Sequence, residues 1–288
     1  IVDIGLEGKM LGAAFAAAAA AALTGSAWMG LITAIGVSLA LAMLHGFACI
    51  THRGDHVVSG VAINITVAGL GPVLADAWFR QAGRVPVTGD GMRFRSIDLP
   101  FAESLRSVPV IGPVYADVIS GHNILVYVAA LSVPVVAWIV FRTRFGLRLR
   151  AVGENPSAVD TAGISVKGMR FRALMVTGIL CGIAGAYLSI AQGAGFTRDM
   201  SAGKGFLALA ALIFGKWRPV PALMACLLFA FADAVQARLQ GVELPLVGEV
   251  PTQAIQALPY LLTILLLAGF VGRAVAPKAI GQPYVKER

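Results

Sequence analysis

Ala202-Gly203-Lys204-Gly205 carries the glycines and the lysine of a phosphate-binding loop. Such a loop needs GxxxxGK followed by Ser or Thr, so that backbone amides cradle the phosphates and the hydroxyl meets magnesium. Gly205 follows the lysine here, and no upstream glycine has the right spacing. ATP binding is therefore not expected in this chain. His52-Arg53-Gly54-Asp55-His56 places two imidazoles four residues apart, a zinc-binding spacing on a helix. Gly54 disfavours a helix at that point, and the stretch reads as a solvated or headgroup-facing loop between spans. Cys49, Cys181 and Cys226 sit singly in apolar runs and read as small buried hydrophobes. No GxSxG elbow and no Ser/His/Asp grouping stands out. No catalytic residue, metal or cofactor is expected.

Polar side chains within apolar runs are better candidates, because each is costly in lipid unless it binds or pairs. Glu7 opens the first run, Asn64 lies in the middle of VSGVAINITVAG, and Asp233 lies in FADAVQARLQ with Gln236 close behind. Asn64 could equally bond a neighbouring helix, and Asp233 could be reaching the outer interface. Phe196 and Phe206 flank a short apolar segment and could stack on a base or sugar, or pack in a core.

Residues 150–164, RAVGENPSAVDTAGI, are polar and turn-rich in a chain that is 58% hydrophobic. Asn155 is a good N-cap and Pro156 suits the first helical position, where no amide bond is lost. Gly163 can take the left-handed conformation that ends a helix. The spacing predicts a two-turn helix with Ala158, Val159 and Ala162 on one apolar face. So short a helix is marginal in water and needs something to pack against. It is either held by lipid headgroups or docks on a partner.

The elements that position these residues are set by charge. Only 13% of residues are charged, against about 25% in a soluble globule. Residues 10–52 hold no Asp, Glu, Lys or Arg, and neither do 56–75, 118–141, 173–197, 205–215, 219–232 and 250–272. A helix crosses the hydrocarbon in roughly 20 residues, so the first run is two crossings split at Thr24-Gly25-Ser26. Lipid leaves only helices or a closed barrel, and the alternating polarity of barrel strands is missing. The expectation is an all-α, polytopic transmembrane bundle: one domain over 1–288 with about eight segments. These fall near 10–24, 28–50, 57–76, 119–141, 173–191, 204–215, 219–238 and 256–272. Segment 204–215 is short for a crossing. It is either a half-helix beside a protein-lined cavity or one that runs on into 216–218.

The net charge of +8 is no sign of nucleic acid, because the basic residues concentrate in a few connections. The 142–172 connection holds Arg142, Arg144, Arg148, Arg150, Lys167, Arg170 and Arg172 against Glu154 and Asp160, which makes it cytoplasmic. Counting from it puts Arg53, Lys216-Trp217-Arg218 and the tail from Arg273 inside. The 77–118 connection falls outside. GLEGKMLGAAFAA (5–17) and AGKGFLALAALIFG (202–215) share a pattern and would run in opposite directions, as inverted repeats do. The chain opens on Ile with no signal-peptide pattern, and an upstream helix or helices are expected.

RAVGENPSAVDTAGI, GILCGIAGAYLSI, MSAGKGFLALAALIFGKWRP and LLFAFADAVQARLQ occur in order, with DIGLEGKMLGA and GDHVVSGVAIN before them. Together they resemble permease subunits of bacterial ABC importers for simple sugars, nucleosides and branched-chain amino acids, most closely the nucleoside-type members. Asp3, His56 and Lys204 depart from the Asn, Gln and Arg usual in that family. The resemblance implies an inner-membrane protein paired with a second permease, the same or different. It implies cytoplasmic ATPase subunits driving it in trans, and a solute-binding protein delivering nucleosides or sugars from outside, against loops such as 77–118. It also implies that Glu154, Asn155, Pro156, Asp160, Thr161 and Gly163 couple the chain to the ATPase. Glu7, Asn64, Phe196, Phe206 and Asp233 are the candidates for the substrate path. The Gly178, Gly182 and Gly185 series would let helices approach closely. An ion-coupled secondary transporter is the alternative, with Asp233 as its lone intramembrane carboxylate; a membrane enzyme would lack a catalytic constellation.

Overall fold

A computed structural model describes residues 1–100, 119–239 and 275–286, with isolated positions at 115, 243–244, 248–249, 261 and 264. Its helices are α1 (Leu6–Thr24), α2 (Ala27–Gly46), α3 (His56–Phe79), α4 (Ile124–Arg142), α5 (Arg144–Glu154), α6 (Pro156–Thr161), α7 (Val166–Ala186), α8 (Lys204–Phe214) and α9 (Pro219–Leu239). α2 continues through a π-turn over Phe47–Thr51, and α7 through one over Tyr187–Gln192.

Six of these, α1 to α4, α7 and α9, are long and apolar enough to cross a membrane. Eight segments were expected. Among the described residues the count falls to six because α8 has only 11 residues, about 16 Å of rise. The segment expected at 256–272 lies outside the described residues. α8 ends at Gly215, and Lys216 and Trp217 then take left-handed backbone (φ 51° and 57°), so the helix does not run on into 216–218. The long run splits where expected: Gly25 (φ 75°) caps α1, and Ser26 is extended.

α1 is the centre of the molecule, with α2, α3 and α7 around it and the start of α8 against it. Its buried residues are mostly alanine and glycine, which carry no bulk to hold helices apart. Gly178 and Gly182 press on α2, and Gly185 presses on α1. A Cβ at Gly182 would lie 2.6 Å from the Cα of Ile35, a backbone neighbour that has nowhere to go. Gly182→Ala is expected to cost about 1–3 kcal/mol. Thermal melting of the solubilised protein checks this; an unchanged midpoint would show that the two helices are not in tight contact.

α4 and α9 are different. Only 6% and 11% of their membrane windows are buried, with Leu131, Trp138, Met224, Leu227 and Phe231 exposed. In a membrane these faces meet lipid or another chain.

The described strands are two-residue pairs. β1 (Val85–Pro86) pairs antiparallel with β4 (Gly195–Phe196), and β2 (Ser96–Ile97) with β3 (His122–Asn123). A third pair joins β5 (Glu243–Leu244) and β6 (Gly248–Glu249). The loop after α3 also accepts the Ala27 amide at the Gly91 carbonyl (2.8 Å), so the α1–α2 turn and this loop share one side. At the other end the Ala279 amide donates to the Gly153 carbonyl (2.9 Å), bringing the tail to the α5–α6 segment.

Candidate functional site

Two places gather the polar residues. The first lies at the start of α1. Asn64 is eight residues into α3, about 12 Å from its N-terminal end. Its carbonyl oxygen accepts from the Gly8 amide (2.8 Å) and its amide donates to the Ile4 carbonyl (3.0 Å). A Cβ at Gly8 would sit 2.8 Å from the Asn64 Cα, so only glycine lets α1 lie so close. α1 thus begins inside the thickness of the bundle rather than at its surface.

Glu7, one residue earlier, faces the start of α8. Its Oε1 accepts from the Gly203 amide (2.9 Å) and its Oε2 from the Gly205 amide (2.6 Å). Gly203 is left-handed (φ 78°), which aims both amides at the carboxylate. A carboxylate at a helix N-terminus satisfies orphan amides and meets the positive end of the helix dipole. The starts of α1 and α8 therefore meet at this carboxylate.

Beside this junction is a cavity of about 290 Å³, lined by Glu7, Asn64, Phe206, Ser201 and Asp199 among others. Three of the five substrate-path candidates meet there: Glu7, Asn64 and Phe206. The other two do not. Phe196 is 1% exposed, edge-on to Phe15 (ring centroids 5.4 Å apart), and lies in the core. Asp233 is exposed on α9 and lines neither this cavity nor the larger inner one.

The second place is the α5–α6 segment. Asn155 caps α6 as expected, its side-chain oxygen accepting from the Ala158 amide (3.1 Å) and from the Ser157 hydroxyl (2.7 Å). Gly163 is left-handed (φ 78°). The expected apolar face is not continuous. Val159 alone is buried, against Val152, Val166 and Met169, while Ala158 and Ala162 are exposed with Ser157 and Thr161. A helix of six residues has room for one anchor, and the opposite side is left open. Glu154 and Asn155 are exposed beside it, and Pro156 and Asp160 are half-buried. Lys167, Arg170 and Arg172 stand in the first turns of α7, so the connection is shorter than the charge pattern implied.

Sequence reasoning missed the tail. Residues 275–286 lie across this segment, with Tyr284 against the Val159 cluster and Lys286 3.8 Å from Asp160. The Arg170 guanidinium donates to the Gln282 carbonyl (3.0 Å). Tyr284→Ala is expected to free the tail and speed its proteolysis severalfold, while Tyr284→Phe keeps the wild-type rate. Equal rates in all three proteins would mean that the ring does not hold it.

Also missed were the buried polar contacts below Asn64. Lys9 is fully buried, with its Nζ 2.6 and 2.5 Å from the two carboxylate oxygens of Asp3. Asp3 thereby gains a physical reason, since a buried ammonium needs a countercharge. His45 is also buried, its Nδ1 2.9 Å from the Ser59 hydroxyl. A lysine six residues after an aspartate at the edge of an apolar run was the available signal. His52 is exposed and His56 begins α3, so the two imidazoles do not share a helix. Among the described residues no three His, Cys, Asp or Glu side chains converge on a metal-sized space. Asp55 caps α3, and amide hydrogen bonds from Val58 and Val57 hold its carboxyl below the ordinary value. Its depressed pKa means that the cap contributes above the ordinary carboxylate range and is lost as pH falls through the folded value.

A bundle of membrane-length helices, with a short helix starting beside a small cavity within it and a capped helix exposed at one end, is an architecture suited to a membrane transport subunit. The chain belongs to the family described as "Branched-chain amino acid transport system / permease component", whose model matches residues 1–268. It is 36% identical to the nucleoside ABC transporter permease protein NupC of Lactococcus lactis subsp. cremoris, over all of this chain and 89% of that one. It is 37% identical to the guanosine ABC transporter permease protein NupQ of Bacillus subtilis, over 99% of this chain and 88% of that one. No solved structure matches. The chain is a permease subunit of an ABC importer, a multi-pass protein of the inner membrane.

Proposed function

We propose that this permease forms the path for a nucleoside, and that separate ATPase subunits drive it through α6. The solute class is supported by the likeness to two permeases named for nucleoside and guanosine transport. The cavity at Glu7, Asn64 and Phe206 suits it chemically: a carboxylate and a carboxamide can meet sugar hydroxyls, and a half-exposed phenyl ring can stack on a base. The observation that carries the coupling role is α6 itself, a capped helix held by one buried valine and open on its other face. Glu154, Asn155, Pro156, Asp160, Thr161 and Gly163 shape and border that face. The lightly buried α4 and α9 offer a surface for a second permease, and the loop after α3 faces a solute-binding protein outside.

The test is uptake of labelled adenosine, with ribose in parallel, by vesicles holding the permease, its ATPase and its binding protein. ATP-dependent uptake of adenosine and not ribose is expected. Uptake that persists without the ATPase but collapses with a proton ionophore would overturn the reading in favour of ion coupling.

A further inference from the structure

A cavity of about 600 Å³ lies between α4, α5, α7, the α8 turn and the tail. Its charged lining is Arg150, Arg170, Lys216 and Arg218 against Asp3 and Glu154. Asp3 is occupied by Lys9, so four cations face one available carboxylate.

Arg170 is the decisive residue. It is only 6% exposed, yet among the described residues it makes no ion pair and a single hydrogen bond, to the Gln282 carbonyl. A buried guanidinium with five donors and no countercharge is costly, and such groups are normally paired. The other cations are held toward the same space. Arg150 lies 5.3 Å over the Phe141 ring. Lys216 and Trp217 adopt left-handed backbone, strained for residues other than glycine, at the turn that brings Lys216 and Arg218 to the lining. Much of the remaining wall is apolar, including Phe141, Leu174 and Leu212 from three different helices. A lining that combines cations with hydrocarbon fits an amphiphile with an anionic head. Basic pockets between helices on the cytoplasmic side are where such lipids bind.

We propose that this cavity binds an anionic phospholipid of the inner leaflet, its phosphate seated on Arg170. The inference is independent of which solute is carried. The test uses the purified full chain in nanodiscs of phosphatidylcholine alone or with phosphatidylglycerol. The anionic lipid is expected to raise the melting temperature by about 4 °C or more, since a ligand that binds only the folded state stabilises it. Arg170→Gln should remove that shift. If Arg170→Gln does not fold, Arg150→Gln/Lys216→Gln should at least halve the shift. A second arm adds inorganic phosphate to the phosphatidylcholine discs. A gain there equal to the lipid's would overturn the lipid assignment in favour of a soluble phosphate. No shift in either arm, or the same lipid shift in wild type and variants, would overturn the site altogether.

Discussion

A glycine inserted after Ala158 is expected to reduce ATP-driven uptake more than tenfold while the assembled complex still hydrolyses ATP and the chain still inserts in the membrane. α6 has only six residues, and one added residue rotates its second half by about 100°. Val159 sits at 6% exposure among Val152, Val166 and Met169, and it is the only fully buried residue of the helix. Rotation takes the remaining residues, Asp160 and Thr161, off the surface they present. Val159→Asp reaches the same end differently, by placing a carboxylate in an apolar seat, where burial without a partner costs several kcal/mol. A third variant separates docking from folding. Asp160→Lys replaces the ion pair with Lys286 by a like-charge contact, and Lys286→Asp should restore what it loses. The measurement is the ratio of solute imported to ATP hydrolysed. Normal coupling in the insertion variant would end the assignment of this helix to the ATPase interface.

Glu7→Ala is expected to lower the melting temperature by about 10 °C and to abolish uptake. Two charge-assisted hydrogen bonds disappear, to the amides of Gly203 and Gly205, and both donors are left in a part-buried place. Hydrogen bonds to charged groups contribute about 1.5–3 kcal/mol each, so losing the pair is expected to cost roughly 3–6 kcal/mol. Glu7→Gln keeps one acceptor and should fall between. Gly205→Val approaches from the other side: its Cβ would lie 2.5 Å from the Glu7 nitrogen and 2.7 Å from Oε2, so the carboxylate must leave. If both variants melt like wild type, the carboxylate is not what ties α1 to α8. If they melt lower but transport normally, the junction is structural and the path runs elsewhere.

The helices were legible wherever local chemistry decides. Thr24-Gly25-Ser26 broke the first apolar run, and Asn155, Pro156 and Gly163 bounded α6, because turns and caps are made by the residues at the site. The start of α1 was not. Charge-free runs placed it near residue 10, but Lys9 is buried on Asp3 and the helix begins at Leu6. A paired charge looks the same in sequence as a solvated one. Phe196 and Phe206 likewise read as a matched pair, and only the β1–β4 pairing sends Phe196 into the core while Phe206 stays at the cavity. The tail contacts were invisible for a similar reason: nothing near Tyr284 or Lys286 points more than a hundred residues back to Val159 and Asp160.

The interior of α1 has a dynamic consequence. Ala13, Ala14, Ala17, Ala18 and Ala21 are each fully buried. An alanine has no rotamers to lose on burial, whereas a long side chain forfeits up to about 2 kcal/mol. Neighbouring helices can therefore change register along this surface without freezing and releasing side chains at each step. A machine that must rearrange thousands of times gains reversibility from a smooth axle, at the expense of the interlocking that would make any single state rigid.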